Sequence, residues 1–196
     1  GNALRELDPV TGAEVHVAGG FGSDLGQVGA VHRYGEQLIV SGGATVSIWD
    51  PDADRLVARF DGFEECIDAV LYEDDIVVSQ YGTGSVLRFH PASPDDRTVI
   101  ATGLEEPAGL AVHGADLYVT DRSGTLFQII DDGQTLEPPR PIARGLGGPE
   151  GIAAAEDGTL YVVEEDAGRV TQVDPETGAV TPLADGLALG GPERRA

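Results

Sequence analysis

The feature that most constrains this sequence is a short motif that returns at an almost constant interval. Five of the glycines that precede a large apolar residue are spaced at intervals of 42, 41, 42 and 41 residues. The pairs begin at Gly20, Gly62, Gly103, Gly145 and Gly186. A unit of this length cannot bury its apolar face alone, so a chain built this way must stack similar units against one another.

Each repeat has the pattern of four short strands. In the last full repeat the predicted strands are Gly151–Ala155, Thr159–Val163, Arg169–Val173 and Val180–Ala184. Asp157-Gly158 predicts a tight turn between the first two strands, because glycine accepts the positive φ that a hairpin turn needs. Proline and glycine interrupt any helical periodicity. Four strands in about 42 residues indicate an all-β chain, specifically a β-propeller of four-stranded blades.

The repeats divide residues 1–196, a single propeller region, into four full blades and two fragments. The full blades are residues 21–62, 63–103, 104–145 and 146–186, which we call repeats 1 to 4. Residues 1–20 resemble the outer half of a blade, and residues 187–196 resemble the start of another. Two arrangements remain open: a five-bladed ring with one defective blade, or an arc of a larger ring of six blades. We favour the arc, completed in the native protein or by a homo-oligomer, because open sheet edges invite pairing.

Composition excludes several classes of partner and site. The chain has 34 acidic and 12 basic side chains, and its net charge of −22 repels nucleic-acid phosphates and anionic membrane surfaces. No apolar run approaches the roughly 18 residues that a membrane-spanning helix needs. The single cysteine, Cys66, excludes an internal disulfide and a multi-cysteine zinc site. We expect it to be a buried, inert thiol.

The later repeats carry a recognisable pattern. Residues 149–153 read PEGIA, residues 157–164 read DGTLYVVE and residues 168–178 read GRVTQVDPETG. In this pattern the chain resembles a superfamily of six-bladed propellers. The superfamily includes NHL-repeat proteins, senescence-marker/gluconolactonase-like lactonases and streptogramin B lyases. The matched residues are mostly turn and core residues, so the resemblance implies the fold and no single activity.

Three carboxylates fall at positions that face a propeller mouth. Glu150 is the middle residue of a Pro-x-Gly motif, and Asp121 and Glu164 each end a second strand. Oxygen ligands of this kind suit Ca²⁺ or Mg²⁺. The resemblance to the lactonases implies a divalent ion that polarises an ester carbonyl, and Asp121 matches the aspartate of their motif. We therefore name Asp121, Glu150 and Glu164 as candidate metal ligands; the alternative is that they are solvated turn carboxylates.

The function predicted first is an NHL-type binding or scaffold module, whose channel mouth takes a small molecule or a protein partner. The alternative is a divalent-metal-dependent hydrolase, similar to the gluconolactonases, that acts on a small ester or lactone. A third interpretation is that this stretch has no activity of its own. None of the histidines repeats the spacing that the lyase resemblance implies for a general base. We therefore predict no catalytic residue.

Overall fold

The computed structural model describes residues 3–19 and 27–189. Within those ranges the chain forms sixteen β-strands and a single 3₁₀ turn, Tyr81–Thr83. The strands are β1 (Ala3–Leu7), β2 (Glu14–Gly19), β3 (Ala30–Tyr34), β4 (Gln37–Asp50), β5 (Arg55–Tyr72), β6 (Asp75–Gln80), β7 (Ser85–Phe89), β8 (Thr98–Ala101), β9 (Pro107–His113), β10 (Asp116–Asp121), β11 (Thr125–Asp131), β12 (Gln134–Arg144), β13 (Pro149–Ala154), β14 (Leu160–Glu164), β15 (Arg169–Val173) and β16 (Val180–Ala184).

The strands form antiparallel sheets in chain order. β1 and β2 pair as a two-stranded unit, which we call the N-terminal hairpin. β9 to β12 form one four-stranded sheet within repeat 3, and β13 to β16 form another within repeat 4. These sheets confirm the prediction of an all-β chain built from successive four-stranded units.

Repeats 1 and 2 differ from this even division, because they share one six-stranded sheet, β3 to β8. The long strand β4 covers two predicted strands, and β5 continues through the boundary at residues 62 and 63. Cys66 makes the ladder continuous, since it pairs with Gly43 on one side and with Gln80 on the other. Positive φ angles at Gly43 and Gly62 interrupt the extended backbone of the two long strands.

The core consists of four apolar clusters, one at each junction between successive units. Ala18 of the hairpin packs with Val40 and Trp49 of repeat 1. The next cluster joins repeats 1 and 2 through Ile39, Val46, Ile76 and Phe89, among others. The third joins repeats 2 and 3 through Val77, Val86, Leu117 and Val119, among others. The fourth joins repeats 3 and 4 through Tyr118, Leu126, Leu160 and Val162, among others. Stacking of units, rather than one central core, therefore stabilises the chain.

Strand register explains which side chains enter these clusters. In repeat 4, Leu160 pairs with Val173 and Val162 pairs with Thr171, and all four are buried. Alternation along a strand puts Tyr161 and Val163 on the opposite face of the sheet, which we call the outward face. At the turn that the sequence predicts, Gly158 has a φ of 87°. The strands β15 and β16 have the predicted bounds.

No sheet of the described part closes into a ring. The hairpin lies at one end of the series of sheets and repeat 4 at the other. The blade start predicted at Gly191-Pro192-Glu193 lies outside the described residues, as do Gly20 and Phe21. Within residues 3–19 and 27–189, no helix has the length and apolar character needed to cross a membrane.

Candidate functional site

A cavity of about 600 Å³ lies where the inner strands of all four repeats begin. We call it the mouth. Its wall includes backbone from each repeat and the side chains of Gln27, Asp68, Tyr81, Arg122 and Glu150. Ligand sites in proteins are usually concave and carry a few placed polar groups, and the mouth has both properties.

Glycine shapes this wall because the inner strands approach one another closely. A Cβ atom on Gly109 would lie 2.3 Å from the carbonyl oxygen of Glu150, which belongs to the next repeat. Gly29 and Gly151 occupy the corresponding positions in repeats 1 and 4. In repeat 2 this position is Asp68, so one carboxylate stands where the other three repeats have glycine.

Asp68 is buried and binds groups from three repeats. Within repeat 2, its Oδ1 accepts a hydrogen bond from the backbone N–H of Ala69 at 2.8 Å. Its Oδ2 accepts a hydrogen bond from the backbone N–H of Leu110 at 2.9 Å. Its Oδ1 lies 2.9 Å from Nε2 of His32, on the inner strand of repeat 1. Burial lowers the pKa of His32, but the hydrogen bond and negative charge of Asp68 outweigh it and raise the pKa overall. The pair therefore favours the protonated imidazolium.

Arg122 brings a positive charge to the mouth, from the turn between β10 and β11. One terminal nitrogen lies 3.0 Å from a carboxylate oxygen of Glu150, and the other lies 2.8 Å from Glu165. Its Nε atom is buried and has no hydrogen-bond partner among the described residues. Nearby, a hydrogen bond to Glu106 raises the pKa of the Tyr81 hydroxyl. The acidic and basic groups of the mouth thus hold one another in place.

The second-strand ends have the same structural role in three repeats. Gln80 Oε1 accepts a hydrogen bond from the backbone N–H of Glu64 at 3.0 Å. Asp121 accepts from the backbone N–H groups of Glu105 and Glu106 at 2.8 and 3.1 Å. Glu164 accepts from the backbone N–H of Gly147 at 2.5 Å. Each side chain ties the end of its second strand to the residues that precede its own inner strand, which lie in a loop in repeats 3 and 4 and within β5 in repeat 2.

The three predicted metal ligands are committed to protein donors. Glu164 is fully buried and binds Arg169 at 2.7 and 2.8 Å. Burial raises the pKa of Glu164, but the hydrogen bonds from Arg169 and Gly147 outweigh it and lower the pKa overall. Asp121 accepts backbone hydrogen bonds and Glu150 pairs with Arg122.

A divalent ion needs several oxygen ligands that converge on one point. In the part of the chain that the structure describes, no three His, Cys, Asp or Glu residues form such a group. In this arrangement a metal ion would have to displace the protein donors that these carboxylates already bind. The metal site stays a prediction, and a calcium titration tests it.

Three further residues of types that often carry function, Cys66, Trp49 and His113, make contacts that suit structural roles. The thiol of Cys66 is buried, and burial raises its pKa, as expected for an inert cysteine. Trp49 packs between repeat 1 and the N-terminal hairpin, as a core aromatic does. His113 Nε2 lies 3.2 Å from the carbonyl oxygen of Glu156.

Sequence reasoning missed Asp68 and Arg122. The signal for Asp68 was available, since an acidic residue stands where the other three repeats have glycine. Arg122 gave no such signal, because its role depends on partners in the next repeat.

Comparison with known proteins finds similarity at the level of structure. No protein-family profile matches the chain, and no curated protein sequence matches it. Solved structures do match, at low sequence identity.

Streptogramin B lyase is 13% identical with a TM-score of 0.62, over 79% of this chain and 53% of that one. Virginiamycin B lyase from Staphylococcus aureus is 12% identical with a TM-score of 0.60, over 78% of this chain and 53% of that one. PorZ, a surface component of the type-IX secretion system of Porphyromonas gingivalis, is 16% identical with a TM-score of 0.61. That match covers 82% of this chain and 21% of PorZ.

This chain has a β-propeller fold. The predicted propeller fold is confirmed, and it is similar to the fold of the streptogramin B lyases. At this identity the likeness shows the fold alone. The chain spans about half the length of the lyases that it matches.

Proposed function

We propose that the chain is a propeller binding module of NHL type, and that its mouth binds a cationic group. That group would be an amine or guanidinium, carried by a small molecule or by a side chain of a protein partner. The observation that carries the proposal is the mouth itself, a cavity of about 600 Å³ to which all four repeats contribute backbone.

The charges around the mouth favour a cation. Three carboxylates line it, those of Glu65, Asp68 and Glu150, against one arginine, Arg122, which pairs with Glu150 and with Glu165. The net charge of −22 adds a long-range field of the same sign. The negative field would therefore attract a positively charged ligand from a distance. At the mouth, the carboxylate oxygens would accept hydrogen bonds from that ligand.

The glycines of the wall favour a ligand that also forms hydrogen bonds. Where a repeat has glycine, no side chain shields the backbone from the cavity. Guanidinium and ammonium groups donate several hydrogen bonds and can use both carbonyl and carboxylate acceptors.

The test is an NMR titration of the isotopically labelled chain with capped amino acids. The probes are N-acetyl-arginine amide and N-acetyl-lysine amide, with N-acetyl-glutamine amide and N-acetyl-glutamate amide as neutral and anionic controls. We expect saturable shifts of mouth amides with the cationic probes only, weakened by added salt.

Glu65→Gln and Glu150→Gln should each raise the dissociation constant for the arginine probe by about threefold or more. Glu176→Gln is the matched control, since it removes an exposed carboxylate in the β15–β16 turn, away from the mouth. Equal shifts with all four probes, or no saturable shift with any, would show that the mouth is not a cation site.

A further inference from the structure

Exposed apolar side chains concentrate at the two ends of the series of described sheets. Ten large apolar side chains are exposed in the described residues, and seven of them belong to the hairpin or to the region from β16 onward. The seven are Leu7, Val10, Val15, Val17, Val180, Leu183 and Leu187. A soluble chain tolerates scattered apolar residues, but concentration at two ends marks interaction surfaces.

At the C-terminal end the uncovered surface is the outward face of repeat 4. Tyr161 pairs with Gln172 and Val163 pairs with Val170 on this face. All four side chains are only half-buried. The equivalent pairs in repeat 3, Tyr118–Gln128 and Thr120–Leu126, are buried because repeat 4 covers them.

At the N-terminal end the uncovered surface is the free face of the hairpin. Leu4 and Ala18 point toward repeat 1 and pack with Val40 and Trp49. Val15 and Val17 lie on the other face, since residues two apart along a strand share a face, and they are 63% and 39% exposed. The hairpin is thus covered on one side only.

These two faces correspond to the two sides of the contact that successive repeats of the chain make with each other. Residues 4–15 of the hairpin, LRELDPVTGAEV, parallel residues 170–181 of repeat 4, VTQVDPETGAVT. The hairpin therefore corresponds to the two outer strands of a repeat. Its free face is the side against which a preceding repeat would pack, and repeat 4 has no following repeat among the described residues.

We propose that the outward face of repeat 4, over β14 and β15, binds the N-terminal hairpin of a second copy of this chain. The contact is head to tail: Val163 and Val170 of one copy meet Val15 and Val17 of the other. Such a contact uses different surfaces on the two copies, and it forms a closed ring only if the rotation between successive copies closes. Because each copy has a net charge of −22, salt that screens this charge strengthens the association.

The experiment is sedimentation equilibrium of the whole chain in roughly 0.1 M and roughly 2 M sodium chloride. We expect reversible association that tightens in high salt. Val17→Glu on the hairpin and Val170→Glu on repeat 4 should each weaken it by about tenfold or more. Val99→Glu is the matched control, because Val99 is an exposed valine on β8, away from both ends.

Mixing the two end variants separates this arrangement from a symmetric one. Val17→Glu retains an intact repeat 4 and Val170→Glu retains an intact hairpin, so the mixture should form a dimer through one junction although neither variant associates alone. Circular dichroism checks that each variant is folded, and Val17→Thr and Val170→Thr replace any that is not.

A chain that stays monomeric in both salts would overturn the proposal. The same holds if Val99→Glu weakens association as much as the end variants, or if the mixture of folded variants does not dimerise. None of these outcomes bears on the mouth, which lies where the inner strands begin.

Discussion

Repeats 3 and 4 have nearly the same strand pattern but differ in how much of each is buried. Tyr118 and Tyr161 occupy equivalent positions on β10 and β14, each opposite a glutamine. Tyr118 is 3% exposed and packs with repeat 4, whereas Tyr161 is only half-buried. The difference shows that the stability of each repeat depends on the unit that follows it, as in other repeat architectures.

The largest expected effect comes from truncating these two tyrosines. Tyr118→Ala removes a buried ring from the cluster between repeats 3 and 4, so we expect a loss of about 3–5 kcal/mol in the free energy of unfolding. Tyr161→Ala should cost about 1 kcal/mol or less in the monomer, because its ring is partly in water already. Urea unfolding followed by circular dichroism measures both. Equal losses would mean that the outward face of repeat 4 is covered in solution.

Next in size is the ion pair that repeat 4 has and repeat 3 lacks. Glu164→Gln should destabilise the chain by about 1.5–3 kcal/mol at neutral pH, because Glu164 is buried and accepts charged hydrogen bonds from Arg169. Its pKa is lowered by folding, so this contribution is present above the ordinary glutamate pKa and is lost as the pH falls through the folded value. The difference between wild type and variant should therefore shrink in acid.

The same variant tests the predicted metal site. Calorimetric titration with Ca²⁺ and then Mg²⁺ should give weak, non-saturating heats that are equal in the wild type and in Glu164→Gln, because the carboxylates already bind protein donors. Stoichiometric binding that disappears in the variant would restore the hydrolase interpretation and justify a screen of lactones.

The smallest expected effect concerns a hydroxyl group that occurs at the equivalent position in three of the repeats. Ser41, Ser79 and Thr120 each donate to a carbonyl oxygen of the next inner strand, at 3.1, 2.5 and 2.5 Å. The corresponding residue of repeat 4 is Val163. Thr120→Val should cost about 1–2 kcal/mol, because it leaves the carbonyl of Glu150 without that donor.

The reverse change, Val163→Thr, should alter stability by less than about 0.5 kcal/mol in the monomer, because no following repeat is described there. Thermal unfolding compares the two variants. A stabilised Val163→Thr monomer would show that a following inner strand is present after all.

Much of the fold could be predicted because the same pattern of strands and turns occurs in each of the four repeats. The predicted bounds of β15 and β16 agree with the structure, since alternation and turn glycines act within a few residues. The continuity of β4 and β5 could not be predicted, because it depends on Cys66 pairing with Gly43, across the repeat boundary. A local sequence pattern does not specify whether the sheet of one repeat continues into the sheet of the next.

For the mouth, the sequence indicated which residue would line the cavity better than it indicated which side chains would bind each other there. It placed Glu150 at the mouth, where the structure has it, whereas Asp121 and Glu164, expected there too, are buried and do not line the cavity. It gave no sign that Arg122 binds Glu150. Opposite charges meet only once two neighbouring repeats are docked. The orientation of a side chain at a repeat boundary is set by packing between units, which a single repeat does not encode.

The three-way attachment of Asp68 has a consequence for how the chain unfolds. In a series of repeats where each unit contacts only its neighbours, the ends can open one unit at a time. Asp68, in repeat 2, holds His32 of repeat 1 and the backbone of Leu110 in repeat 3, so opening repeat 3 also loosens the charge that stabilises the imidazolium two units away. Repeats 1 to 3 should therefore exchange their slowest amide hydrogens together, as one cooperative block, while repeat 4 opens separately.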